Sequence, residues 1–217
     1  MGKKVNPFVF RLGPLYTWKS RWYADKKAYK DIMLQDIKLR KFLMKNLIKA
    51  GISNVEIERS IKTIKVTLYV SRPGVVIGRG GKGLEELNES IKKILKIKDD
   101  KKATKIDIKV NEIKSPDTQA RLVAQRISDQ LIGRYPHRRA VNQAMDKAIE
   151  AGAKGIKIKL SGRIAGTEIA RSETYSRKNI PTQSLRSDID YAELPSLTRS
   201  GYVGIKVWIY KGEKELR

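Results

Sequence analysis

Two stretches of this chain carry residue types and spacings suited to meeting phosphate. The first is Pro73–Leu87, P-G-V-V-I-G-R-G-G-K-G-L-E-E-L, where Gly78, Gly80, Gly81 and Gly83 surround the cations Arg79 and Lys82. Glycine has no Cβ, so the backbone there can take positive φ and come close to another molecule. Leu84, Leu87, Ile91, Ile94 and Leu95 follow at helical spacing, so the loop delivers free N–H groups at a helix start, where anions bind. The second stretch is Arg134-Tyr135-Pro136-His137-Arg138-Arg139, at the start of another helix. Cations there oppose the helix macrodipole and cost about 0.3–1 kcal/mol each. They make sense with an anion at the helix N-terminus, for which Arg134, Arg138, Arg139 and Asn142 are the candidate residues. The bland alternative is a solvated charged face, although residues 134–163 hold eight Lys/Arg against two acids.

The glycine loop admits two parses. As G-x-G-x-x-G it matches a dinucleotide fingerprint, but that site needs a buried strand running straight into the glycines and an acid near the end of the next strand. Pro73 and Gly74 intervene, and Asp99 and Asp100 precede the next strand. A P-loop also fails, because Gly83 follows Gly81-Lys82 where Ser or Thr is needed for magnesium. As G-x-x-G, Gly78–Gly81 lies between a short and a long helix, which is the KH arrangement. Such a loop clamps about four nucleotides of single-stranded backbone. A glycine-rich helix connection with incidental charge is the plain alternative.

Catalysis finds little support. The chain has no cysteine, and its one histidine, His137, sits in a cationic run with no sequence-adjacent acid to orient it. A triad, a metal site and a cofactor are not expected. Glu85, Glu86, Asp188 and Asp190 read as surface or ion-pair acids. Composition points to a polyanion instead: 47 Lys+Arg against 23 Asp+Glu give +24 over 217 residues. Self-repulsion of that size favours nucleic acid as partner, with an anionic membrane second. No apolar run approaches the ~18 residues of a membrane span, no signal-peptide core opens the chain, and Asn6 stands where a myristoylation site needs Ser or Thr. A cytoplasmic protein without membrane association is expected.

Periodicity places these motifs in an α+β fold. Residues 1–34 read as a basic arm with interleaved aromatics, Phe8, Phe10, Tyr16, Trp18, Trp22, Tyr23 and Tyr29, serving either as base-stacking groups or as anchors on the protein itself. A helix over Asp36–Ala50 ends at Gly51, and strands follow near 55–58 and 64–70. A short helix, the glycine loop, a helix over about 83–96 and a strand over 106–110 complete a domain from 35 to 112. The helix and strand that precede its core suit the type II KH version. After a linker, where Ser115 or Asp117 is placed to cap, two helices broken at Tyr135-Pro136 and strands near 155–160, 168–175, 187–191 and 202–210 form a second α+β domain over 113–217.

These residues resemble the bacterial type of the ribosomal small-subunit protein family S-three over nearly the whole chain. The opening M-G-K-K-V-N-P with Arg11-Leu12-Gly13, the segment Arg72–Gly81, and the runs at 152–157, 161–163, 169–171, 185–191 and 204–209 match it in order. The resemblance implies a component of the small-subunit head that binds ribosomal RNA, touches head proteins of the S-ten, S-fourteen and S-two families and lines the channel through which messenger RNA enters. Arg138 and Arg139 match positions associated with gripping and unwinding messenger. Asn142 departs from the lysine usual at a third position, Ala165 replaces a common glycine, and the C-terminal tail of some members is not present. The ribosome would be cytoplasmic or organellar. Candidates for ribosomal RNA contact are Lys3, Lys4, Arg11, Trp22, Lys154, Arg163, Arg171 and Arg186, beside the KH loop Gly78–Lys82. A free KH-type regulator binding single-stranded RNA is the alternative function.

Overall fold

Apolar residues at period two in the strands and near 3.6 in the helices build two separate cores. The computed structural model describes residues 5–95 and 105–215. Its elements run α1 (Pro7–Phe10), β1 (Ser20–Arg21), α2 (Lys26–Asn46), β2 (Ile52–Arg59), β3 (Thr63–Val70), α3 (Pro73–Ile77), α4 (Lys82–Leu95) and β4 (Lys105–Glu112). They continue with α5 (Ala120–Ile132), α6 (His137–Glu150), β5 (Gly155–Gly162), β6 (Arg171–Arg177), β7 (Ser187–Thr198) and β8 (Gly201–Glu213). Contacts divide the chain into two units. One spans Trp18–Lys114; the other joins the segment up to Thr17 to the chain from Ser115 onward.

In the first unit the sheet order is β1-β2-β3-β4. β2 and β3 are antiparallel, and β4 pairs parallel to β3, so the chain between them must cross over. α3, the glycine loop and α4 lie within that crossover. Val55, Ile57, Val66 and Leu68 pack with Leu39 and Leu43 of α2 and Ile91 of α4, all without exposure. α2 begins at Lys26, well before the expected Asp36. Its early apolar residues Tyr29, Met33, Leu34 and Ile37 are exposed, so no buried stripe announced the extra turns.

One buried acid ties this unit's entrance segment down. Asp36 is 3% exposed. It accepts from Arg59 Nε at 2.8 Å and from Arg59 Nη2, while its other oxygen accepts from the Trp22 indole N–H at 2.8 Å. The Trp22 ring leans on Tyr29, centroids 5.1 Å apart, and Ser20-Arg21 pairs alongside β2. Trp22 is therefore an internal anchor, half-buried, with its indole N–H committed to Asp36.

The second unit lays α5 and α6 over one face of an antiparallel sheet ordered β6-β5-β8-β7. Ile156, Ile158, Leu160, Ile205, Val207 and Ile209 are fully buried there. Ala124, Ala144 and Ala148 on the helices keep the layers close. The expected local cap of α5 is absent. Ser115 bonds Thr118 and Asp117 pairs with Arg126, while the Ala120 N–H is satisfied by Asp190 Oδ2 of β7 at 2.9 Å. β7 also runs on to Thr198, past Pro195; as an edge strand it tolerates proline.

The N-terminal segment is part of this unit. Asn6 caps α1 by accepting from the Phe8 N–H at 2.9 Å. Arg11 is wholly buried and donates to the carbonyls of Pro7, Thr182 and Ser184 at 3.0, 2.9 and 2.8 Å. Phe8 stacks on Tyr16, whose hydroxyl bonds Asp188. The Arg11 guanidinium, expected from the sequence at an RNA contact, is thus turned inward and held by backbone acceptors. Of the expected arm over 1–34, the described residues up to Thr17 group with one unit and those from Trp18 with the other. Removing one partner from a buried ion pair leaves the other charge unmatched, at a cost of about 3–5 kcal/mol. Asp36→Ala should lower the stability of the Trp18–Lys114 unit by that amount in urea unfolding; a loss under about 1 kcal/mol, the scale of surface pairs, would contradict the anchoring role.

Candidate nucleic-acid interface

The glycines of the first stretch divide by task. A Cβ on Gly83 would stand 2.6 Å from the Val76 carbonyl oxygen, and one on Gly78 would stand 3.0 Å from the Gly83 nitrogen. These two let α3 and α4 cross closely. Gly80 and Gly81 take φ of +62° and +83° with nothing within 4 Å of a Cβ, so the turn bends toward open space. Arg79, Gly80 and Lys82 are exposed at its tip. Val75 and Ile77 add exposed apolar surface, at 55% and 39%. The start of α4 thus offers N–H groups and two cations to phosphate beside an apolar flank for a base. β3 reaches the loop only through α3, which removes the dinucleotide geometry.

In the second stretch the turn between α5 and α6 places Arg134 at φ 60°, a left-handed conformation costing a non-glycine residue about 1–2 kcal/mol. Two bonds hold it: Arg134 N–H to the Leu131 carbonyl at 3.1 Å, and Tyr135 N–H to that of Gln130 at 2.9 Å. Pro136 stands at the N-cap of α6. Arg134, Arg138, Arg139 and Asn142 are all exposed, while Ala140, Val141, Ala144 and Met145 turn inward. The Arg139 guanidinium lies 5.5 Å from the Tyr135 ring centroid, an arrangement that orients the cation without neutralising it. Of the two acids within residues 134–163, Asp146 is paired with Arg177 at 2.5 Å.

His137 does have an acid partner, contrary to the sequence reading. Its Nε2 lies 3.1 Å from Glu173 Oε2 of β6, and the Tyr175 hydroxyl donates to the same oxygen. The Tyr175 bond, helped by His137 and Arg138 against the opposing effect of burial, holds the Glu173 carboxyl below the usual carboxylate range. The cluster pins the first turn of α6 to β6 beside Arg138. The separation of 36 positions between His137 and Glu173 leaves no local signal for it.

The remaining candidates are dispersed over the second unit. Arg163 is exposed and donates from Nε to the Thr167 carbonyl at 2.9 Å. Arg171, Arg186 and Lys154 are exposed, with Lys154 lying over Gly212. Lys3 and Lys4 fall outside the described residues. Among the described residues no group of three or more His, Cys, Asp or Glu is arranged to hold a metal, and no helix is long and apolar enough to cross a membrane.

Known proteins match both units. Residues 38–118 match the family described as KH domain, and residues 127–209 match that described as Ribosomal protein S3, C-terminal domain. Among similar proteins, the small ribosomal subunit protein uS3 of Clostridium botulinum (strain Loch Maree / Type A3) is 45% identical over 98% of this chain and 93% of its own. That of Persephonella marina is 44% identical over 99% and 92%, and that of Desulforamulus reducens 43% over 98% and 93%. With a KH fold, the family's own C-terminal domain and identity along nearly its full length, the chain belongs to the uS3 family of small ribosomal subunit proteins.

Proposed function

We propose that the chain is a structural RNA-binding component of the small-subunit head, holding ribosomal RNA through both units and messenger RNA through the first turn of α6. The family is structural rather than enzymatic. What carries the messenger reading is the set of exposed arginines at a helix N-terminus. Arg138 and Arg139 stand where the macrodipole already repels cations. They are mounted on a turn pinned by His137–Glu173 and by Tyr135. A phosphate backbone passing that helix end meets both the guanidinium groups and the free N–H groups. Asn142 adds no charge, so the grip rests on the two arginines. The glycine loop supplies a second, single-stranded contact on the KH unit. Head proteins of the S-ten, S-fourteen and S-two families are the neighbours this reading implies.

Removing two charge-assisted hydrogen bonds, each worth about 1.5–3 kcal/mol, should weaken the hold on messenger about a hundredfold or more. Arg138→Ala with Arg139→Ala should therefore slow translation through a hairpin-bearing messenger in reconstituted ribosomes while subunits still assemble. Unchanged passage through the hairpin would remove the messenger role. For the loop, Arg79→Asp with Lys82→Asp should weaken single-stranded RNA binding by the chain. The log–log salt dependence should flatten by about 1.4, since each phosphate neutralised on a single strand adds about 0.7 to the slope. An unaltered affinity and slope would show that the loop does not meet RNA.

A further inference from the structure

The face of the C-terminal sheet turned away from α5 and α6 carries a groove that neither site above uses. Two adjacent rows of cross-strand neighbours form its floor. In one, Trp208 of β8 lies between Lys157 of β5 and Tyr191 of β7; in the next, Lys206 lies between Lys159 and Glu193. Phe10 at the end of α1 contributes to the wall, and the groove encloses about 530 Å³, inside the range of about 300–1,000 Å³ typical of pockets for small organic groups.

Its chemistry is specific. The Trp208 and Tyr191 rings sit 5.2 Å apart at 41°, and Lys157 Nζ lies 6.0 Å from the Trp208 centroid. Phe10 is 44% exposed. Glu193, the one acid in the lining, is engaged by the Tyr191 hydroxyl at 3.0 Å and by Lys206 at 3.4 Å. Lys157 and Lys159 therefore keep the groove cationic. Half-buried aromatic rings on a sheet face, bordered by lysines, form the combination that stacks bases while neutralising their phosphates.

We propose that this groove is a single-stranded RNA site, in which a base stacks against the Trp208–Tyr191–Phe10 aromatics and Lys157 and Lys159 meet the flanking phosphates. Every base has a π-face, so the site is sequence-tolerant. It rests on the groove residues alone and is independent of the messenger role of Arg138 and Arg139.

The test uses the full chain and 5-iodouridine-labelled oligouridylate, photocrosslinked and mapped by mass spectrometry. Crosslinks should fall on Trp208, Tyr191 or Phe10. They should persist in the variant carrying Arg79→Asp, Lys82→Asp, Arg138→Ala and Arg139→Ala, which separates this site from the two proposed above. Trp208→Ala should weaken oligonucleotide binding in that background about fivefold or more, the loss expected for one base–aromatic stack, whereas Trp208→Phe retains most of it. Because Trp208→Ala removes a core-adjacent ring, Lys157→Glu with Lys159→Glu gives a second reading at solvent-facing positions and should abolish the groove crosslinks. Crosslinks confined to other surfaces would overturn the proposal. So would protection of the groove, in assembled subunits, by a neighbouring protein with no RNA crosslink.

Discussion

Positive charge that the protein cannot neutralise by itself is the constraint on which the rest of this structure depends. If all 23 acids paired with a base, 24 of the 47 Lys and Arg would still be unmatched. A compact state bearing that excess is stable only if the unmatched cations stay in water or meet a polyanion. The architecture satisfies this by giving each unit a sheet with a largely apolar buried layer and setting the cations on turns, helix starts and outward strand faces. The glycine loop and the first turn of α6 both set cations at a helix N-terminus.

The basic side chains that go inside have specific partners. Arg11 spends its guanidinium on three carbonyls and thereby sews α1 to the 181–184 segment. Arg59 forks onto Asp36, and that carboxylate also takes the Trp22 indole. His137 meets Glu173 beside Tyr175. These internal pairs position the displayed cations, since each fixes a segment that carries them. α6 can hold Arg138 and Arg139 in place because its first turn is tied to β6.

Where burial imposes a period, the sequence was readable. α4, α5, α6, β3, β5 and β8 lie close to where alternation or helical spacing puts them, and Gly78–Gly81 lies between a short and a long helix as the KH pattern requires. Features that depend on distant partners were not readable. Two of the acceptors of Arg11 lie more than 170 residues away, so in the sequence it reads as one more arm cation. Asp190 caps α5 from 70 residues away, displacing two plausible local caps. The early turns of α2 hide because their apolar residues face solvent, and β7 extends beyond the expected 187–191 to Thr198. Whether an aromatic is an anchor or a platform was equally hidden: Trp22 is tied to Asp36, whereas Trp18 and Tyr23 remain 70% and 90% exposed.

The proposed role is that of a ribosomal component whose charge is matched by RNA of the small subunit. Sedimentation of cell extract in magnesium, with probing of each fraction for this chain, tests that most directly. The chain should travel with the small-subunit particle and leave it only when salt is raised. Recovery in the slow-sedimenting fractions, bound to free RNA or to none, would contradict it.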